Sequence, residues 1–156
     1  MRNIKTIKLF PVSASKEISF VLKNCNDINY YIEQRKKELI DRINYSTAAW
    51  LRGRSENSNS MEDILILYEN DRIIKRFKKW QKVINRLLND LSNEEVPIEY
   101  YLIKYRYMEK MSDEYIIDKL QLNSIYELRN LIVNIKNKIY EYALQENLYE
   151  EVISYE

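Results

Sequence analysis

Arg129, Asn130 and Asn134 lie in the stretch Ser124-Ile-Tyr-Glu-Leu-Arg-Asn-Leu-Ile-Val-Asn-Ile-Lys-Asn-Lys138. The chemistry open to them is recognition, not bond breaking. A guanidinium fork matches the paired acceptors of a guanine edge, and a carboxamide matches the donor and acceptor of an adenine edge. Tyr126 carries a hydroxyl for a phosphate and a ring for a thymine methyl. Ser124, Lys136 and Lys138 offer donors to phosphate oxygens. At helical spacing Ile125, Tyr126, Arg129, Asn130, Val133, Asn134 and Asn137 share one face. Leu128, Ile132, Ile135, Ile139 and Tyr142, spaced 4, 3, 4 and 3, share the other.

Other chemistries lack their residues. The chain has no histidine, one cysteine (Cys25) and one glycine (Gly53). The commonest general base and metal ligand is therefore missing, and zinc or Cys/His sites are excluded within one chain. A glycine-rich phosphate loop is excluded too. No enzyme, cofactor or metal is expected. A lone cysteine also forbids an internal disulfide, which fits a cytoplasmic location. No apolar run approaches the roughly 20 residues that a membrane helix needs, and the first 18 residues are too polar for a secretory signal.

The net charge of +1 conceals a gradient. Residues 1–54 carry 11 basic and 5 acidic side chains, whereas residues 92–156 carry 7 and 13. Residues 141–156 hold five Glu and no Lys or Arg. A polyanionic partner would meet its strongest attraction toward the N-terminal half.

The elements that must position the 124–138 face read as helices throughout, since one glycine and two prolines leave few breaks in 156 residues. Two helix-start signals fall close together. Ser112 opens a short helix, Asp113 to Leu120, and Ser124 caps the next, with Glu127 completing a reciprocal capping box. Taking Ser124 as the cap leaves Leu128 buried; taking Asn123 would bury Glu127. Gln121 to Asn123 then form a corner with Leu122 turned into the core. A short helix followed by a longer one across a tight corner is a helix-turn-helix, whose second helix sets its first turns against base edges.

Upstream, Pro97 starts a helix over roughly 97–109, with Ile98, Tyr101, Leu102, Tyr105 and Met108 inward. Ser60 caps a long helix reaching about Leu91, in which Ile73, Phe77, Trp80, Ile84, Leu87 and Leu91 form a seam. Arg72, Lys75, Arg76, Lys78, Lys79, Lys82 and Arg86 flank it, as a solvated face or as a phosphate-contacting stripe. An earlier helix runs from about Asn26 to Arg52, with Ile28, Ile32, Leu39, Ile43 and Trp50 on its apolar face. The expected fold is all-α, with two long helices forming a coiled hairpin ahead of a three-helix unit. By domain, residues 1–24 are an N-terminal arm of uncertain structure, in which Ile4, Ile7, Leu9 and Phe10 before Pro11 fit a short extended arm and Lys16 to Lys23 fit the start of a helix. Residues 25–91 are the hairpin, with a polar loop at 53–60. Residues 92–146 hold the helix-turn-helix, and 147–156 an acidic tail.

From Trp80 to Ala143 the chain resembles phage late-gene transcriptional regulators of the ArpU/RinA kind, whose C-terminal half is similar to region four of sigma factors. The stretches carrying the likeness are WQKVINRLLNDL, YLIKYRYMEKMSDEYIIDKL and NSIYELRNLIVNIKNKIYEYAL. The resemblance implies a regulator that binds double-stranded promoter DNA and contacts RNA polymerase, with Arg129 where the family often has a basic residue near DNA. Two positions depart from the pattern. Ile117 replaces the usual small residue, and Gln121 replaces the usual corner glycine. The 73–91 seam serves equally to join two chains as a homodimer or to fold back onto residues 28–50. A small terminase subunit, and a protein-only adaptor or inhibitor of polymerase or a host factor, remain as other readings.

Overall fold

The computed structural model describes residues 6–50 and 61–150, without the side chains of 45–50. The predicted loop at 53–60, its capping Ser60 and the tail residues 151–156 lie outside the described residues, as does Ile4 of the arm. Among the described residues there are seven α-helices and no strand. They are α1 (Val12–Lys23), α2 (Ile28–Trp50), α3 (Met61–Asn70), α4 (Arg72–Ser92), α5 (Ile98–Ile103), α6 (Asp113–Lys119) and α7 (Ile125–Gln145). None of them is long and apolar enough to cross a membrane.

The chain divides into two compact units. One comprises Asp27–Lys78; the other joins Met1–Asn26 to Lys79–Glu156. This differs from the expected hairpin of residues 25–91, because the boundary falls inside α4. The larger unit holds the lower part of the predicted seam. Trp80, Ile84, Leu87 and Leu91 are buried there, together with Val83. The Trp80 indole N–H donates to Glu17 of α1 at 2.8 Å, and its ring meets Tyr149 edge-on. Tyr142 of α7 donates to Asp90 at 2.6 Å, and Arg86 lies over the Tyr142 ring. The seam between Trp80 and Leu91 is therefore enclosed by this chain's own α1, α7 and C-terminal turn. It is not left free to join two chains.

In the smaller unit the single long helix expected from Ser60 to Leu91 is broken at Asp71. The Asp71 carboxylate accepts the Ile74 N–H at 3.0 Å, which starts α4 afresh. It also pairs with both arms of Arg35 from α2, at 3.0 and 3.1 Å. Tyr31 stacks on Phe77, and Ile28, Ile32, Leu39 and Ile74 are buried. Ile73, expected in the seam, is 44% exposed. The restart at Asp71 turns Ile74 inward in its place.

In the larger unit the segment left uncertain by the sequence forms a full helix over Val12–Lys23, with Ala14, Ile18, Val21 and Leu22 in the core. The helix expected over 97–109 is α over Ile98–Ile103 and then widens into a π turn at Lys104–Met108. The Glu109 N–H reaches back five residues to the Lys104 carbonyl at 2.9 Å. Leu102 and Ile103 take the inner face, whereas Tyr101, placed there by the sequence, is 39% exposed and stacks on Tyr105.

Candidate nucleic-acid interface

The corner is formed as the two start signals require. The Ser112 hydroxyl accepts the Tyr115 N–H at 3.2 Å, and the Ser124 hydroxyl accepts the Glu127 N–H at 3.3 Å. The Glu127 carboxylate closes the box on the N–H of Asn123, one residue ahead of the cap, at 2.7 Å. Helix α6 stops because Gln121 enters the left-handed region at φ 55°. That turn lets the Leu122 N–H bond the Ile117 carbonyl at 2.9 Å and the Gln121 N–H bond that of Asp118 at 3.2 Å, the paired closure of a Schellman motif. Glutamine thus adopts the backbone that glycine takes most readily. Leu122 is buried, as are Ile116 and Leu128, so α6 and α7 share a core across the corner.

On α7 the predicted residues divide into two groups. Ser124, Tyr126 and Arg129 stand together at the N-terminal turns. Tyr126 is 56% exposed and Arg129 is exposed, with the guanidinium 5.9 Å from the Tyr126 ring. Such a contact holds the fork loosely while leaving its donors to solvent.

The others are engaged by the chain itself. The Asn130 carboxamide oxygen accepts the Thr6 N–H at 3.2 Å. Asn137 accepts the Leu9 N–H and donates to the Ile7 carbonyl, both at 2.8 Å. The extended segment 6–10 therefore runs over the outward face of α7, anchored by buried Phe10. Asn134 is half-buried in a cleft of about 650 Å³ that Leu9, Glu99, Asn137 and Lys138 also line. Lys138 is held by Glu99 at 3.1 and 3.2 Å, with Glu94 at 3.8 Å. Lys136 is half-buried and donates to the Ser19 hydroxyl of α1 at 3.2 Å. Its ammonium is pushed below the usual lysine range by burial first, then by the charges of Lys8, Arg106 and Lys23.

Among the described residues, Thr6, Ile7, Leu9 and Ser19 of the arm thus touch the candidate face directly, a contact that the sequence left open. The signals were present but indirect. Asn137 falls on the outward face by helical spacing, and Ile7 and Leu9 are apolar residues in the arm.

Comparisons of the chain with protein-family models, with characterised proteins and with solved structures found no match.

Proposed function

We propose that this chain is a DNA-binding transcriptional regulator, of the phage late-gene kind its sequence resembles, and that it presents the N-terminal turns of α7 to the major groove. The observation that carries this reading is the pair of capped helices about a left-handed corner, with Arg129 and Tyr126 open to solvent on the first turns of the second. A helix projecting such side chains from its first turns is the geometry that reads base edges. On this reading Arg129 pairs with guanine and Ser124 and Tyr126 contact phosphates. Asn130, Asn134 and Asn137 become available when segment 6–10 lifts. RNA polymerase would be the protein partner.

A second reading, a protein-only adaptor, draws support from the engagement of Asn130, Asn137 and Lys138 inside the chain. One experiment separates the two. Selection of bound sequences from random duplexes, followed by gel shift of the winners at 50 and 200 mM salt, should give specific complexes that weaken steeply with salt. An adaptor shifts no duplex even at the lower concentration.

A further inference from the structure

A cleft of about 450 Å³ opens between α1, the π turn and α7 in the larger unit. Four cations line it: Lys23, Arg106, Lys110 and Lys136. They face one carboxylate, Asp113, which is already bound to Arg106. Among the described residues none of the three lysines is in an ion pair. Like charges gathered in a partly desolvated space repel one another. The Lys136 ammonium is depressed by burial first and then by the charges of Lys8, Arg106 and Lys23.

From this geometry we infer that the cleft is a binding site for a phosphate group. The lining supplies what such a ligand requires. The lysines furnish charge and Arg106 a planar fork. The hydroxyls of Ser19, Ser112 and Tyr107 lie in the same wall. Those of Ser19 and Ser112 already accept N–H bonds from Lys136 and from the backbone of Tyr115, so each keeps its own proton to donate. Burial pushes the Tyr107 phenol above its usual range, against the charge of and hydrogen bond from Arg106, so its hydroxyl keeps a proton to donate. Met111 and Ile132 add an apolar side, and the volume suits a small phosphorylated molecule as well as a bare ion. The phosphate can come from such a molecule or from a duplex backbone. The site stands on the cation cluster alone, without the reading of α7 as a base-reading helix.

The test is calorimetric titration and thermal melting of the full chain with inorganic phosphate, a nucleoside monophosphate and a short random-sequence duplex, at ionic strength matched with chloride. Inorganic phosphate should bind saturably and raise Tm, as any ligand of the folded state does. Lys136→Gln and Lys110→Gln should each weaken phosphate binding at least tenfold. Lys136→Gln should also melt no lower than the wild type, since it relieves repulsion and shows that the loss is not unfolding. Lys119→Gln, on the exposed side of α6, should bind phosphate as the wild type does. Displacement of phosphate by the duplex assigns the source to the backbone; binding of the mononucleotide without competition from the duplex assigns it to a small ligand. No saturable response to inorganic phosphate, or an equal loss in Lys119→Gln, overturns the site.

Discussion

Asn137 holds Leu9 as a neighbouring strand would, accepting its N–H and donating to the Ile7 carbonyl two residues back, each at 2.8 Å. These are the same donor and acceptor with which an asparagine pairs to adenine. If α7 reads DNA as proposed, backbone and base are alternative partners for one carboxamide, and segment 6–10 would compete with a duplex for the middle of α7.

Deleting residues 1–9 should therefore raise affinity for a selected duplex. Hydrogen bonds of this kind are worth about 1 kcal/mol each net, so release of the segment should strengthen binding on the order of tenfold. The deletion also removes the cations Arg2, Lys5 and Lys8, which by itself would weaken binding. A gain measured by fluorescence anisotropy thus reports unmasking; a loss would place the segment on the DNA.

Arg129→Ala should cost about 1–3 kcal/mol of specific binding while weakening random-sequence binding little. Because Arg129 is exposed and touches only the Tyr126 ring among the interactions described, its melting temperature should stay within a degree or two of the wild type. Unchanged affinity for the selected duplex would remove α7 as the reading helix.

Asp71→Ala should lower stability by about 2 kcal/mol, since it removes the cap of α4 and leaves Arg35 without its main partner. The paired Arg35 guanidinium holds the Asp71 carboxyl below the usual aspartate range, against the opposing effect of burial. The stabilisation is accordingly full above the unfolded value, about pH 4, and fades as pH falls through the lower folded value. Urea melts of wild type and variant at pH 7 and at pH 3 should converge at the acid end.

Gln121→Gly should stabilise the chain by about 0.5–1 kcal/mol, as the residue already sits at φ 55°. Gln121→Ile should destabilise it by about 1–2 kcal/mol, because a branched side chain resists that region. Thermal denaturation followed by circular dichroism distinguishes the two. Equal melting of both variants would mean that the corner relaxes to another turn.

What was legible in the sequence was what is local. Ser112, Ser124 and Glu127 act within four residues of themselves, so the two caps and the corner could be read directly. The inward set Leu128, Ile135 and Ile139 follows from helical spacing alone. Contacts between distant segments were not legible. Asp71 is a capping residue type and caps Ile74 three positions on, but inside an apolar periodic run it reads equally as one more polar residue on a helix. The contact that distinguishes the two is the pair with Arg35, 36 positions away. The seam residues were correctly apolar, but periodicity cannot say which segment covers them. Here that is Glu17 and Tyr149 for Trp80. The cluster of Lys23 with Arg106 and Lys110 could not be read either, because Lys23 stands more than 80 positions from the other two.

The π turn at Lys104–Met108 has a genetic corollary. It accommodates one residue more than an α-helix would over the same rise, so excising a single codon there should let the segment relax to ordinary α geometry. Because the turn absorbs the lost residue, the flanking side chains, Leu102 and Ile103 among them, would keep their register, while Arg106 or Tyr107, inside the turn, would be lost or moved out of the cleft. In-frame loss of one amino acid, commonly tolerated in loops, would here erase a pocket and spare the fold.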